Sequence, residues 1–155
     1  MRKRNGFTLV ELLITIAVAA ILLTIGVPSF QYAMQSSRIA TQTNELVTGL
    51  QTARGEAVRR NREVTLQPID GDWLDGFEIV SNGDTLRVFD TFGAGLTLDG
   101  MPADVTFRGN GTRDPEAGPL TFGIEPDGDC LGDMRRVVTV TLGGTARTER
   151  MGCTQ

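Results

Sequence analysis

The chain opens with a stretch that is apolar all round and continues with a segment that is apolar on one side only. Residues 7–27 are mostly hydrophobic, and their number is close to the ~20 that a helix needs to span a bilayer. Beyond Pro28, apolar residues recur at helical intervals from Ile39 to Ala57. The pattern predicts a helix over residues 7–60, which Pro28 should kink or loosen.

After the helix the pattern changes to short β-type runs separated by Gly, Asp, Asn and Pro. Asn82-Gly83, between two such runs, is a strong hairpin signal. We expect an α+β fold in which the long helix packs on a C-terminal antiparallel β head. Trp73 and Phe77 are expected in its core rather than in a ligand site, because large aromatic side chains dominate cores. The expected strands are 63–67, 77–80, 85–89, 96–98, 105–107, 120–124 and 136–142.

A single carboxylate, Glu11, lies inside the first apolar stretch. A charge at the centre of a bilayer costs roughly 2.5–3.5 kcal/mol or more, so a segment that served only as an anchor would not carry one. Once the basic leader is removed, the sequence nearby offers no cation except a new amino terminus. Cleavage after Gly6 would give Phe7 a charged amine four residues from Glu11.

The short basic leader, Gly6 before Phe7, the run Thr8-Leu9-Val10-Glu11 and the long apolar helix resemble the class III signal of type IV pilins and type II secretion pseudopilins. The resemblance implies that a prepilin peptidase cuts after Gly6 and methylates the Phe7 amine. It also implies that Glu11 pairs with the amine of a neighbouring subunit during filament assembly.

Two other interpretations of the N-terminus stay open. An ordinary secretory signal peptide would share the basic Arg2-Lys3-Arg4 leader and a small-residue site at Ala17-Val18-Ala19, although the carboxylate and the longer apolar run disfavour it. A plain single-pass anchor fits the length. We expect a leader at 1–6, a transmembrane or filament-core helix at 7–30 and a periplasmic head at 31–155. The leader stays cytoplasmic, so the chain is placed in the bacterial inner membrane.

The amino-acid composition excludes several kinds of catalytic and phosphate-binding site. The chain has no histidine and its only lysine is Lys3, so it has no histidine base, no Ser-His-Asp or Cys-His arrangement and no Gly-Lys-Ser/Thr phosphate loop. Residues 71–155 carry 14 acidic residues and seven arginines, which disfavours broad attraction to nucleic acid or anionic lipid. We predict a non-enzymatic protein without a cofactor. A membrane-anchored periplasmic enzyme is the weakest alternative.

The order of short motifs in the head is similar to that of the GspH/FimT family of minor pilins and pseudopilins. The resemblance implies a structural subunit of a type IV pilus or a type II secretion pseudopilus, placed near its tip. Its partners would be other pilins, the prepilin peptidase and an inner-membrane assembly platform. The motifs are Ala53-Arg54-Gly55-Glu56-Ala57-Val58-Arg59-Arg60-Asn61, Val64-Thr65-Leu66, Trp73 with Gly76-Phe77, Val105-Thr106-Phe107, Gly109-Asn110-Gly111, a Val-Thr-Val strand, a Gly-Thr-Ala-Arg turn and a late cysteine.

Cys130 and Cys153 are the two cysteines of the chain. In an exported domain an even count suggests a disulfide, with two separate buried thiols as the alternative. Asp127, Asp129 and Asp133 surround Cys130. Clustered carboxylates bind Ca²⁺ in some proteins, but this spacing matches no Ca²⁺ loop that we recognise, so we expect an acidic turn and no metal.

Arg135, Arg136, Arg147 and Arg150 flank the last strand pair and are the candidate DNA contacts. Some family members are thought to bind DNA through a C-terminal Gly-Arg-x-Arg motif, and Gly144-Thr145-Ala146-Arg147 stands in its place here, with only the second arginine kept. No aromatic residue interleaves these arginines for base stacking. We therefore favour a solvated strand face and keep a DNA receptor at the pilus tip as the second function.

Overall fold

The computed structural model describes residues 7–90, 92, 95–128, 130 and 132–153. The chain divides into two compact units, of which the first ends at Gln35 and the second begins at Ser36. The helix α1, Leu9–Arg60, contributes residues to both units and includes Pro28. It therefore ends where the sequence pattern predicts and begins two residues later.

The described part of the second unit contains two four-stranded antiparallel sheets beside the C-terminal half of α1. Their strands are β1 Val64–Ile69, β2 Asp72–Ser81, β3 Asp84–Phe89, β4 Leu96–Asp99, β5 Val105–Phe107, β6 Leu120–Pro126, β7 Arg135–Val140 and β8 Ala146–Met151. One sheet has the order β3-β2-β1-β5 and the other the order β4-β6-β7-β8. The predicted α+β architecture is confirmed.

All seven expected strands are present, with shifted ends. Strand β2 begins at Asp72 rather than Phe77 because it continues through Gly76. Gly76 has φ 105°, and a Cβ there would lie 2.6 Å from the Phe89 carbonyl oxygen, so glycine alone lets the strand pass. Strand β7 ends at Val140 rather than Leu142.

Strand β8 corrects the interpretation of Ala146-Arg147 as part of a turn. The turn closes at Thr145, whose carbonyl accepts from the Thr141 N–H at 3.0 Å. Strand β8 follows at the edge of its sheet, and residues 147–151 are all exposed. A strand solvated on both faces has no hydrophobic alternation, which is why the pattern did not predict it.

The Asn82-Gly83 hairpin is confirmed. Ser81 of β2 and Asp84 of β3 are cross-strand partners, so Asn82 and Gly83 form the whole connection between the two strands. Both have positive φ, 54° and 84°, as a two-residue turn with the twist of the flanking strands requires.

The core of the second unit forms between one face of α1 and the inner faces of the sheets. Ile39, Leu46, Leu50, Ala53 and Ala57 are each 1% exposed or less, which confirms the predicted helical face. Trp73 and Phe77 are buried as predicted, and two further aromatic residues join them in the same cluster. These are Phe89 and Phe92, with the rings of Phe77 and Phe89 stacked at a centroid distance of 4.5 Å.

Gly49 of α1 allows the helix backbone to approach this aromatic cluster. A Cβ at residue 49 would lie 2.5 Å from Cε2 of Phe77. Phe77 is 1% exposed and stacks on Phe89, so its ring has little room to move away. This close packing explains why the helix has a glycine at position 49, although glycine costs about 1 kcal/mol there relative to alanine.

Cys130 and Cys153 form the expected disulfide, with a Cα–Cα distance of 5.8 Å. The bond joins the connection between β6 and β7 to the segment that follows β8, across a sequence separation of 23 residues. It therefore holds the end of the edge strand β8 to the rest of its sheet.

We predict that Gly49→Ala destabilises the second unit. Overpacking costs about 1–3 kcal/mol and the gain in helix propensity is about 1 kcal/mol, so the free energy of unfolding should fall by about 1 kcal/mol and by no more than about 2 kcal/mol. Denaturant unfolding of the detergent-solubilised chain, followed by the fluorescence of its single tryptophan, measures the change. An unfolding free energy equal to or above that of the parent would contradict close packing at Gly49.

We predict that the double change Cys130→Ser and Cys153→Ser lowers the unfolding free energy by about 3 kcal/mol, because the disulfide restricts the unfolded chain. The parent protein treated with a reductant is the control and should lose a similar amount. The thermal midpoint with and without reductant provides the comparison. A double variant that unfolds together with the oxidised parent would show that the bond does not stabilise the head.

Candidate assembly site

Thr8 and Glu11 hold one another at the start of α1. The Thr8 N–H donates to Glu11 Oε2 at 3.2 Å, and the Glu11 N–H donates to Thr8 Oγ1 at 3.2 Å. The Thr8 hydroxyl also donates to the same Oε2 at 3.2 Å. These reciprocal bonds form a capping box, whose Thr-x-x-Glu signature was present in the sequence but went unused in our predictions.

The capping box leaves the charge of Glu11 unbalanced. Its donors, the Thr8 N–H and hydroxyl, are neutral. In the part of the chain that the structure describes, no arginine or lysine forms an ion pair with Glu11, and Oε1 accepts no hydrogen bond. The helix dipole favours a carboxylate in this first turn but supplies only a partial positive charge. One oxygen of Glu11 therefore remains open to a cationic partner.

The side chains around this carboxylate are apolar and uncovered. Every described residue from Phe7 to Met34 is exposed. This part of α1 contains a segment long and apolar enough to cross a membrane. An exposed apolar surface of this extent requires cover by lipid or by other polypeptides.

The expected processing site lies at the boundary of the described residues. Phe7 is 79% exposed, and Gly6 lies outside the described residues. Cleavage between Gly6 and Phe7 and methylation of the new amine stay predictions.

Arg135, the first of the four candidate DNA-contacting arginines, is engaged within its own sheet. Its Nη2 lies 2.8 Å from Asp99 Oδ2, and its Nε lies 3.9 Å from Glu125 Oε2. Its guanidinium covers Gly123, where a Cβ would lie 2.7 Å from Nη2, and its side chain is 14% exposed. These contacts make Arg135 a cross-strand ion-pair residue.

Arg136 is buried, with 4% of its surface exposed. Its Nη1 donates to the carbonyl oxygens of Asp133 and Met134 at 2.9 and 3.1 Å. Arg113 was not predicted as a site and is similar, since its Nη1 donates to Gly118 O at 3.1 Å and burial lowers the pKa of its guanidinium. Both arginines act inside the head.

Arg147 and Arg150 are exposed but lie on opposite faces of β8. Arg147 is the cross-strand partner of Thr139, and Arg150 is the partner of Arg136. Cross-strand partners share a face, and residues three apart on a strand do not. The structure therefore does not gather the four arginines into one basic surface, and DNA contact through them stays an untested prediction.

The acidic turn before the disulfide is only partly described. Asp127 and Asp133 are exposed, and Asp129 lies outside the described residues. Among the described His, Cys, Asp and Glu side chains, no group of three is placed to hold a metal ion.

Comparison with known proteins finds two protein families on this chain. The family described as "Type II transport protein GspH" matches residues 42–144, and the "Prokaryotic N-terminal methylation motif" matches residues 1–27. The first match lies over the last part of α1 and the head as far as residue 144, before β8. The second covers the expected processing site at Gly6 and Phe7, together with Thr8, Glu11 and residues 9–27 of α1.

Curated relatives match the chain over about half of its length. A "Fimbrial protein" of Pseudomonas aeruginosa is 32% identical over 79 residues, which are 50% of this chain and 51% of the relative. "Fimbrial protein Q" of Moraxella bovis is 31% identical over 87 residues, 56% of this chain and 55% of the relative. The chain thus spans about half the length of the curated relatives it matches.

Two solved structures match over most of their length. The type IV minor pilin FimU of Pseudomonas aeruginosa strain PAO1, in space group P21, is 31% identical, with 73% of this chain and 89% of that chain covered and a TM-score of 0.62. Its crystal form in space group P65 gives 30% identity, 71% and 91% coverage and a TM-score of 0.58. With the GspH match over more than half of the sequence, these findings confirm the resemblance, and the chain belongs to the GspH family of structural minor pilins and pseudopilins.

Proposed function

We propose that this subunit of a type IV pilus or type II secretion pseudopilus is first processed at its N-terminus and then assembled from the membrane into a filament. A prepilin peptidase removes residues 1–6 and methylates the amine of Phe7. Residues 7–30 hold the chain in the bacterial inner membrane, with residues 31–155 in the periplasm. An assembly platform then transfers the chain into a filament of other pilins, where it lies near the tip. The neighbouring genes distinguish the two systems, because pilus clusters and secretion operons differ in membership.

The observation that carries this proposal is the carboxylate of Glu11 within an uncovered apolar helix. Its cost in hydrocarbon, roughly 2.5–3.5 kcal/mol or more, is not offset by any cation in the described chain. Assembly into a filament would remove both the cost of the unbalanced charge and the cost of the uncovered apolar surface. The apolar helices of neighbouring subunits cover one another, and the amine of a neighbour's first residue supplies the missing charge.

The capping box fits this role because it uses only one oxygen of Glu11. Oε2 accepts from Thr8, which positions the carboxylate at the helix start. Oε1 can then accept from the neighbour's amine, and a charge-assisted hydrogen bond of this type is about twice as strong as a neutral one. Glu11 thus caps its own helix and pairs with the next subunit.

We predict that Glu11→Gln abolishes assembly while preserving the helix cap. Glutamine completes a capping box as glutamate does, so the change removes the charge alone. Membrane insertion and processing should persist, and the amount of the chain in sheared filaments or pseudopili should fall on the order of tenfold or more. Quantitative immunoblotting of filament and membrane fractions measures both.

Thr8→Val is the matched control for this experiment, because it removes the hydroxyl of the cap and leaves the charge of Glu11. Its incorporation should fall less than that of Glu11→Gln. Normal incorporation of Glu11→Gln would rule out the pairing role.

We predict that the chain isolated from its native membrane begins at N-methylated Phe7. Intact-mass measurement should show the loss of residues 1–6, and fragmentation should place one methyl group on the new terminus. Gly6→Leu serves as an uncleaved control, because a bulky residue replaces the glycine of the cleavage site. A native chain that retains Met1 and never enters a filament would contradict the proposal.

A further inference from the structure

Asparagine followed by glycine is a sequence that can rearrange chemically without an enzyme. The pair occurs three times in this chain, at residues 5–6, 82–83 and 110–111. The first pair lies outside the described residues and within the leader that the proposed processing removes. The other two pairs lie in turns of the head, and the fold places them in different surroundings.

The rearrangement needs a mobile asparagine side chain and an accessible nitrogen on the glycine. The glycine backbone nitrogen attacks the asparagine Cγ and forms a new C–N bond. The bond between Cγ and the side-chain nitrogen breaks, and ammonia leaves with the proton of the glycine nitrogen. Water then opens the resulting succinimide at either carbonyl carbon, which gives aspartate or isoaspartate. Glycine favours the attack because it has no side chain to hinder it.

Asn82 and Gly83 meet both requirements. They are exposed, and they form the whole connection between the paired residues Ser81 and Asp84. Among the described residues, no hydrogen bond holds the Asn82 side chain or the Gly83 N–H. A Cβ on Gly83 would meet nothing within 4 Å, so the space beside this backbone is open. The reacting carbon and nitrogen are therefore free to approach each other in contact with water.

Asn110 and Gly111 are held by hydrogen bonds at both reacting groups. Asn110 Oδ1 accepts from the Thr112 N–H at 3.1 Å and from the Thr112 hydroxyl at 2.7 Å, which turns the side chain toward residue 112. The Gly111 N–H donates to Arg108 O at 2.7 Å, and Gly111 is buried. Its carbonyl oxygen accepts from Arg54 Nε at 3.0 Å. Attack on Asn110 would have to break the bonds that fix the amide and the nitrogen.

We propose that Asn82-Gly83 is a site of spontaneous covalent modification, at which Asn82 converts to aspartate and isoaspartate, and that the fold protects Asn110-Gly111. The modification goes beyond the proposed function and does not depend on it, because both turns belong to the head of each single chain. Three hydrogen bonds of ordinary strength slow a step that must break them on the order of 100-fold.

The modification would change the charge and the backbone at the end of the β2–β3 hairpin. Either product adds a carboxylate next to Asp84 in a head that is already acidic. Isoaspartate also lengthens the backbone of a two-residue turn whose twist matches its strands, so the pairing of Ser81 with Asp84 should loosen. The Ser81 hydroxyl donates to Glu63 O at 3.0 Å and Phe77 is buried, so the change should stay at this end of β2.

The test compares the two pairs within one chain. The detergent-solubilised full-length protein is incubated in its folded state at mildly alkaline pH and then digested with trypsin. Cleavage after arginine places Asn82 on the peptide 63–87 and Asn110 on the peptide 109–113. Liquid chromatography with mass spectrometry measures the asparagine, aspartate and isoaspartate forms of each peptide. Asn82 should convert at least about tenfold faster than Asn110.

The reduced chain in denaturant is the matched control, because unfolding frees both pairs and should bring their rates close to each other. Thr112→Val is the matched variant. It removes one of the bonds to Asn110 Oδ1, so the folded variant should convert Asn110 about fivefold faster than the parent and leave the rate at Asn82 unchanged.

Three results would overturn the assignment. The first is conversion of Asn110 in the folded chain as fast as conversion of Asn82. The second is an intact Asn82 in the folded chain after a period in which the denatured chain converts fully. The third is the same ratio of rates in the folded and denatured chains, because local sequence rather than the fold would then set the selectivity.

Discussion

The head depends on the contact between one face of α1 and the aromatic cluster beneath it. Gly49 allows the helix backbone to approach Phe77, whose ring stacks on Phe89. This close contact sets the distance between α1 and the strands β2 and β3, with Gly49 on the packed face of the helix. The residues on the opposite face of the helix therefore point outward. The exposed stripe at Gln51, Gly55 and Val58 is a consequence of that placement.

Two glycine turns connect this helix to both sheets. The carbonyl of Gly111 accepts from Arg54, and the Arg113 N–H donates to Leu142 O at 2.8 Å, which joins the turn after β5 to the turn after β7. Gly144 packs against the Gly111 carbonyl so closely that a Cβ would overlap it. A change at any of these positions would therefore move α1 as well as the two sheets.

The sequence was sufficient for α1, the seven patterned strands and the disulfide, because each depends on local periodicity or on cysteine count. The sequence was insufficient where a residue's position or contacts depend on residues that are distant in the chain but close in the folded protein. Strand β8 has no alternation because both of its faces are solvated, and Arg135 and Arg136 are adjacent in sequence yet one is ion-paired and the other buried. The contrast between Gly49 and Gly55 likewise appears only when their neighbours are known.

The carboxylates of α1 lie in different surroundings, so a charge has a different weight at each. Glu11 lies among uncovered apolar side chains, where an unbalanced charge is expensive. Glu56 pairs with Arg59 on the exposed surface of the head, where water and salt screen an ion pair and leave it little net effect. One carboxylate at the start of the helix therefore constrains the surroundings of the chain more strongly than the ion pairs near its end.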